Sequence, residues 1–290
     1  MKQVAVMAGS TATIPPEVAE RYDITRIPFH IIMDGKDYLD IRMTEAEKEQ
    51  LRHRMISRQN LPTTSPPSPG EMLEAFRQAS QKGVKGIVYI TMTSGFAMEY
   101  KSGLKAKEIA EEELPGVSVE VLDSQTVSAG EGLIAIEAVR AASQGNSLSE
   151  VVKVANKIKQ KVTEFWVPDS LFYFDSAGRL GKAKPLVGSP VSVAAVLEVD
   201  IATGGVVNPA SKQRTVAKAV ENAVLIMKQR SGNKKLHVMV GHTFRPDFAE
   251  ELKQRVLSLC QPVEFYLSEN APVTGVLNGA YVDLGFFIED

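Results

Sequence analysis

Short, mostly apolar runs alternate with amphipathic segments through the first half of this chain, and that alternation restricts the fold more than any other feature. VAVMA (4–8), GIVYITM (86–92) and VSVEVLD (117–123) have strand length, and helical patterns follow near 44–58, 70–82, 97–113, 127–143 and 148–162. A half-exposed strand alternates apolar and polar residues, so continuously apolar strands separated by helices predict a parallel sheet covered on both faces. ITRIPFHIIM (24–33) reads as one more strand, followed by a turn at Asp34-Gly35 and a short return at DYLD. After about residue 165 the pattern changes. Strands are expected at 191–199, 204–207, 236–241, 262–267 and 281–288, with helices near 212–230 and 245–258. Ala202-Thr203-Gly204-Gly205 between two apolar runs is a hairpin signal and favours antiparallel pairing. The expectation is a two-domain α/β protein. Residues 1–165 form a parallel, Rossmann-like sheet domain with helices on both faces, and residues 166–290 an α+β domain with a mostly antiparallel sheet.

Charge excludes several functions. The 33 basic and 35 acidic residues nearly cancel, so no global field points to nucleic acid or to an anionic membrane. The single cysteine, Cys260, rules out an intrachain disulfide and a multi-cysteine metal site and fits a reducing compartment. The N-terminus turns polar too early for a signal peptide, and no apolar run approaches the ~20 residues that span a bilayer. A cytoplasmic protein is expected. Four histidines lack zinc-protease spacing, so no metal ligand set is assigned. No G-x-S-x-G elbow, P-loop or Ser–His–Asp order is present, and no catalytic residue or cofactor is expected.

What remains is binding chemistry. The segment Asn60 to Pro69 (NLPTTSPPSP) crowds hydroxyls between prolines that are expected to keep it out of both helix and sheet. Ser10 and Thr11 after the first strand and Ser94 after the third lie on loops where open parallel sheets receive ligands, and Thr64 and Ser65 of the proline-rich loop join them as a candidate constellation. Each loop also reads as a plain connector or, at Thr11, as a helix cap.

Several of these segments, in this order, resemble the DegV family of fatty-acid-binding proteins that serve a bacterial fatty acid kinase. The family's T-S-x-P-S-P loop is matched by Thr64-Ser65-Pro66-Pro67-Ser68-Pro69. Its D-S-x-x-x-S-x-G-x-G segment is matched by Asp123 to Gly132, and its G-G-R-I turn by Gly178-Arg179-Leu180. The resemblance implies a carrier that holds a long-chain fatty acid in the second domain, presents it to a kinase, and is not itself an enzyme. It also implies that Thr64 contacts the carboxylate and that Arg179 has a site role. The departures are specific. D-S-T becomes Gly9-Ser10-Thr11, the serine of S-G-T becomes Ala97, and the C-terminal histidine becomes Leu277. Two head-group contacts are therefore missing, with Ser94 or Asn278 as candidate replacements. An enzyme acting on a small anion at the Ser10/Thr64/Ser94 cleft, or a relative that has lost its ligand, are the alternatives.

Overall fold

A computed structural model describes residues 3–176 and 194–289. Strand β1 (Val4–Gly9) is buried along its whole length and lies between β2 (Thr25–Ile27) and β6 (Gly86–Thr91), with β7 (Ser118–Asp123) beyond. All four are parallel, which accounts for the missing alternation in VAVMAG. On one face Met72 and Phe76 of α3 (Pro69–Gln81) and Ala106 and Ala110 of α4 (Glu99–Glu113) cover Met7, Ile87 and Tyr89. On the other, Leu133 and Ile136 of α5 (Ser128–Ser143) and Val151 and Ala155 of α6 (Leu148–Lys159) cover Val6 and Val88. The short α1 (Pro16–Tyr22) packs beside α5.

Two expectations for this half need correction. ITRIPFHIIM is not one strand: β2 stops before Pro28, and β3 (His30–Met33) leaves the parallel sheet for a separate antiparallel one. Proline removes a ladder donor, and here it marks the place where the chain changes sheets. β3 turns through Asp34 and Gly35, both at positive φ, into β4 (Lys36–Leu39), the geometry of a two-residue hairpin. The proline-rich segment does form a strand. β5 (Thr63–Ser65) fits between Pro62 and Pro66 and pairs with β3, Thr64 opposite Ile31. Pro69 then occupies the first turn of α3, where a missing N–H costs nothing, behind a Ser68–Glu71 capping box. Helix α2 (Glu45–Ser57) starts the same way, on Thr44 and Glu47.

The second sheet has the order β10-β9-β8-β13-β11-β12. Its strands are β8 (Thr163–Pro168), β9 (Ala194–Glu198), β10 (Asn208–Gln213), β11 (Leu236–Thr243), β12 (Glu264–Glu269) and β13 (Tyr281–Ile288). Only β11 and β12 pair in parallel. Strand β8 and two short helices, α7 (Phe172–Ser176) and α10 (Pro272–Asn278), were not expected from the sequence. The expected strand at 204–207 is instead a loop, opened by a short helical turn at Ile201–Thr203 that Asp200 caps. Helices α8 (Val216–Ser231) and α9 (Pro246–Leu259) close the outer face. Helix α5 closes the inner face and so lies between the two sheets, touching β1 on one side and β13 and β11 on the other. That position explains its sequence: 13 of its 16 residues are buried, and only Glu137, Arg140 and Ser143 form a narrow polar edge.

Candidate interdomain ligand site

The loops beyond β1, β6 and β7 converge on the start of α5, and their hydroxyls are already engaged. Ser10 is fully buried, donates to Asp40 Oδ2 at 2.7 Å and accepts from the Phe29 amide at 3.1 Å. Asp40 also accepts from the Phe29 and Ile41 amides, so this group ties the β1 loop to the three-stranded sheet. Burial raises the Asp40 carboxyl to about 6 against these donors. Thr11 donates to Glu131 Oε2 at 3.0 Å, and Ser94 donates to Asp123 at 2.5 Å on the exposed side. Thr64 differs: it is half-buried on β5, and its hydroxyl has no hydrogen-bond partner among the described residues. Ser65 points into solvent. Arg179, with Lys182 and Lys184, lies outside the described residues. The hydroxyl loops therefore do not form one shared donor cluster; Ser10, Thr11 and Ser94 each serve a different carboxyl group.

Between the two sheets lies an apolar cluster that includes Ile31, Leu51, Trp166, Phe174, Leu197 and Tyr281, with Phe96, Ala97 and Leu277 at its margin. Phe96, Phe174 and Tyr281 surround Trp166, with ring centroids 5.9, 5.3 and 6.0 Å away. The gap left here is about 10 Å³, lined by Thr11, Phe96, Ser128, Trp166, Leu277 and Asn278. That is at the lower limit for one water, so side chains fill the space. One wall is polar. The Tyr281 hydroxyl lies 3.1 Å from Ser128 Oγ and accepts from Asn270 Nδ2.

Behind this wall are carboxyl groups that sequence reasoning missed. Val127, at the N-cap of α5, has no side-chain oxygen to offer the first helical amides. Asp283 of β13 and Glu164 of β8 supply the acceptors from the other sheet. Ala129 donates to Asp283 at 3.2 Å and Gly130 to Glu164 at 2.8 Å. Asn270 also donates to Asp283, and the Trp166 indole to Glu164. Both acids are fully buried. Burial and the mutual charge push Glu164 well above the usual carboxylate range, and burial raises Asp283 to about 7. Both carboxyls lie at the positive end of α5, where a negative charge is favoured. The available signal was an acid at a strand position whose neighbours are all apolar, as in VDLGFFI.

Glu99 accounts for the glycine found where the resemblance expects an acid. It is buried, accepts from Tyr89 Oη at 2.6 Å and from the Met92 amide at 2.9 Å, and is raised by burial to about 7. A Cβ at Gly9 would stand 2.1 Å from Glu99 Oε1, so the Glu99 carboxyl occupies the space of a side chain at position 9.

Among the described residues the nearest arrangement to a metal site is Glu137, His237 and Glu264. The Arg140 guanidinium already bonds Glu137 at 2.6 Å and holds Glu264 through both terminal nitrogens, which binds α5 to β12 as an ion-pair network.

The family model described as "Uncharacterised protein, DegV family" matches residues 3–288. The chain belongs to the DegV family. A DegV domain-containing protein of Streptomyces coelicolor is 29% identical over 282 residues, covering 96% of this chain and 95% of its own. One from Listeria innocua is 26% identical over 274 residues, with 94% of each chain covered. Among solved structures, a DegV family protein of Thermus thermophilus described by its fatty acid binding superposes with a TM-score of 0.87 at 22% identity, covering 99% of this chain and 100% of that one. The fatty acid binding protein DegV of Bacillus subtilis gives 0.85 at 24% identity, with both chains covered completely. These likenesses show the DegV fold. Among the described residues, no helix is long and apolar enough to cross a membrane.

Proposed function

We propose that this DegV family protein binds a long-chain acyl lipid without catalysis, its chain in the apolar cluster around Trp166 and its polar head near Thr64. The observation that carries this reading is the unpartnered Thr64 hydroxyl on β5, which packs against α10 and faces the margin of an aromatic-rich cluster between two sheets. Structurally similar DegV proteins are described as binding fatty acids. Burying methylenes contributes ~0.8 kcal/mol each, so a chain of about sixteen carbons has ample energy to displace Phe96 and Leu277 from a closed space. The family resemblance adds a partner, a fatty acid kinase that receives the carrier's ligand. Organic extraction of the purified protein with mass spectrometry tests the reading: one acyl lipid per chain is expected. No co-purifying lipid together with no binding on titration sinks it.

A second reading is favoured by the small size of the gap. With Ala97 and Leu277 in place of polar residues and side chains filling the cluster, the chain would be a DegV relative that has lost its ligand and acts by protein contact alone. The same extraction separates the two. The third reading, an enzyme for a small anion, loses two of its supports because Ser10 and Ser94 are held by Asp40 and Asp123.

A further inference from the structure

A larger cleft, of about 220 Å³, opens elsewhere between the domains. Arg26 of β2, Lys48 and Leu51 of α2, Phe244 after β11, and Asn270 and Ala271 after β12 contribute to its walls. It lies at the carboxyl ends of the one parallel strand pair in the second sheet, a position at which open sheets receive ligands. Two features set it apart. Burial lowers the Arg26 pKa and Asp40 opposes this from a distance, yet among the described residues no carboxylate pairs directly with the guanidinium. The Asp40 oxygens are taken by Ser10 and by the amides of Phe29 and Ile41, which leaves the arginine fork without an oxygen acceptor from that group. Phe244 stands at φ 59°, which a bulky side chain rarely adopts, and its ring lies against Gly275, where a Cβ would come within 3.0 Å of ring carbons. The strained turn fixes the ring as an apolar wall beside the cations. Glu269 is the one acid in the lining and is exposed at the rim, while Lys48 reaches Glu45 on the outside.

We propose that this cleft is a ligand site for a small oxyanion on a short apolar body, such as a short-chain carboxylate or a monoalkyl phosphate. Arg26 and Lys48 take the oxyanion, and Ile41 and Phe244 take the body. The cleft is many times the ~10–15 Å³ that one water needs, which leaves room for a small organic anion. The site does not depend on the acyl-lipid reading.

Isothermal titration calorimetry of the full chain with hexanoate, butyl phosphate and inorganic phosphate tests it, alongside Arg26→Gln and Lys48→Gln. One of the two organic anions is expected to bind one to one, at least tenfold more tightly than inorganic phosphate, and to lose at least tenfold in each variant; which one binds identifies the head. Lys48 is partly exposed on α2, so Lys48→Gln carries the test if Arg26→Gln fails to fold. No binding at millimolar concentration overturns the proposal. So does binding indifferent to the substitutions, as expected of hexanoate lodged in the Trp166 cluster, or binding no better than that of inorganic phosphate.

Discussion

Replacing Asp283 with Asn should reverse the sign of its effect on stability as pH rises. In the native protein Asp283 accepts from the Ala129 amide and from Asn270, and burial raises its pKa from 3.8 to about 7. A carboxyl that resists ionisation in the fold contributes stability that is complete below its unfolded value near 3.8 and is lost as pH climbs through about 7. At 1.36 kcal/mol per unit the whole loss is roughly 4 kcal/mol. Asparagine does not titrate, so this slope disappears in the variant. Its own cost is a donor turned toward a donor, roughly 1–3 kcal/mol and independent of pH. Asp283→Asn should therefore be less stable than the native protein at pH 4.5 and as stable or more so at pH 8.5. Guanidinium melts followed by circular dichroism at four pH values, with m-values checked for constancy, measure the difference. A gap between the two proteins that stays constant within about 1 kcal/mol across that range refutes the role assigned to the buried Asp283 carboxyl.

Thr64→Val keeps the shape and removes the hydroxyl, so competition against a fluorescent fatty acid should show affinity weakened roughly tenfold or more, with Ala97→Ser strengthening it; unchanged affinity in Thr64→Val removes Thr64 as the head-group anchor. Gly9→Ala drives a methyl onto Glu99 and should cost roughly 1–3 kcal/mol, whereas in a Glu99→Ala background the same change should cost at least about 1 kcal/mol less. An additive double-mutant cycle would mean that the two positions do not share one space. For His30, burial pulls the imidazole down but is outweighed by Asp37 and Glu71, on whose carboxylates both ring nitrogens sit, so its pKa is raised above 6.5. Its hold on the start of α3 should be full below about pH 6.5 and lost as pH rises through the raised value, and an NMR titration midpoint at or below the ordinary value contradicts this.

The parallel sheet was legible because its strands are short, mostly apolar and separated by segments of helical pattern, and the motif order named the family. Less regular pieces were hidden. Nothing in TRIPFHII states that Pro28 sends the chain into a different sheet, since a proline can as easily sit at an edge. TTS between prolines forms a strand only because β3 lies beside it, a long-range contact that local propensity does not contain. Strand β8 was masked by its own glutamate, whose burial makes sense only once the α5 amides are seen to need it. The same holds for the candidate site. Counting hydroxyls selected Ser10, Thr11 and Ser94 together with Thr64, but which hydroxyls are free depends on Asp40, Glu131 and Asp123, which lie 29 to 120 residues away in sequence.

Trp166 is the only tryptophan in the chain and stands inside the proposed acyl site, against Phe96, Phe174 and Tyr281. Titrating delipidated protein with a C16 fatty acid while recording Trp166 emission therefore reads the site directly. Acyl binding predicts a saturable spectral change at one equivalent, reproduced by a fatty alcohol of equal length if chain burial dominates. Emission that stays unchanged up to the solubility limit of both ligands contradicts acyl binding by this protein.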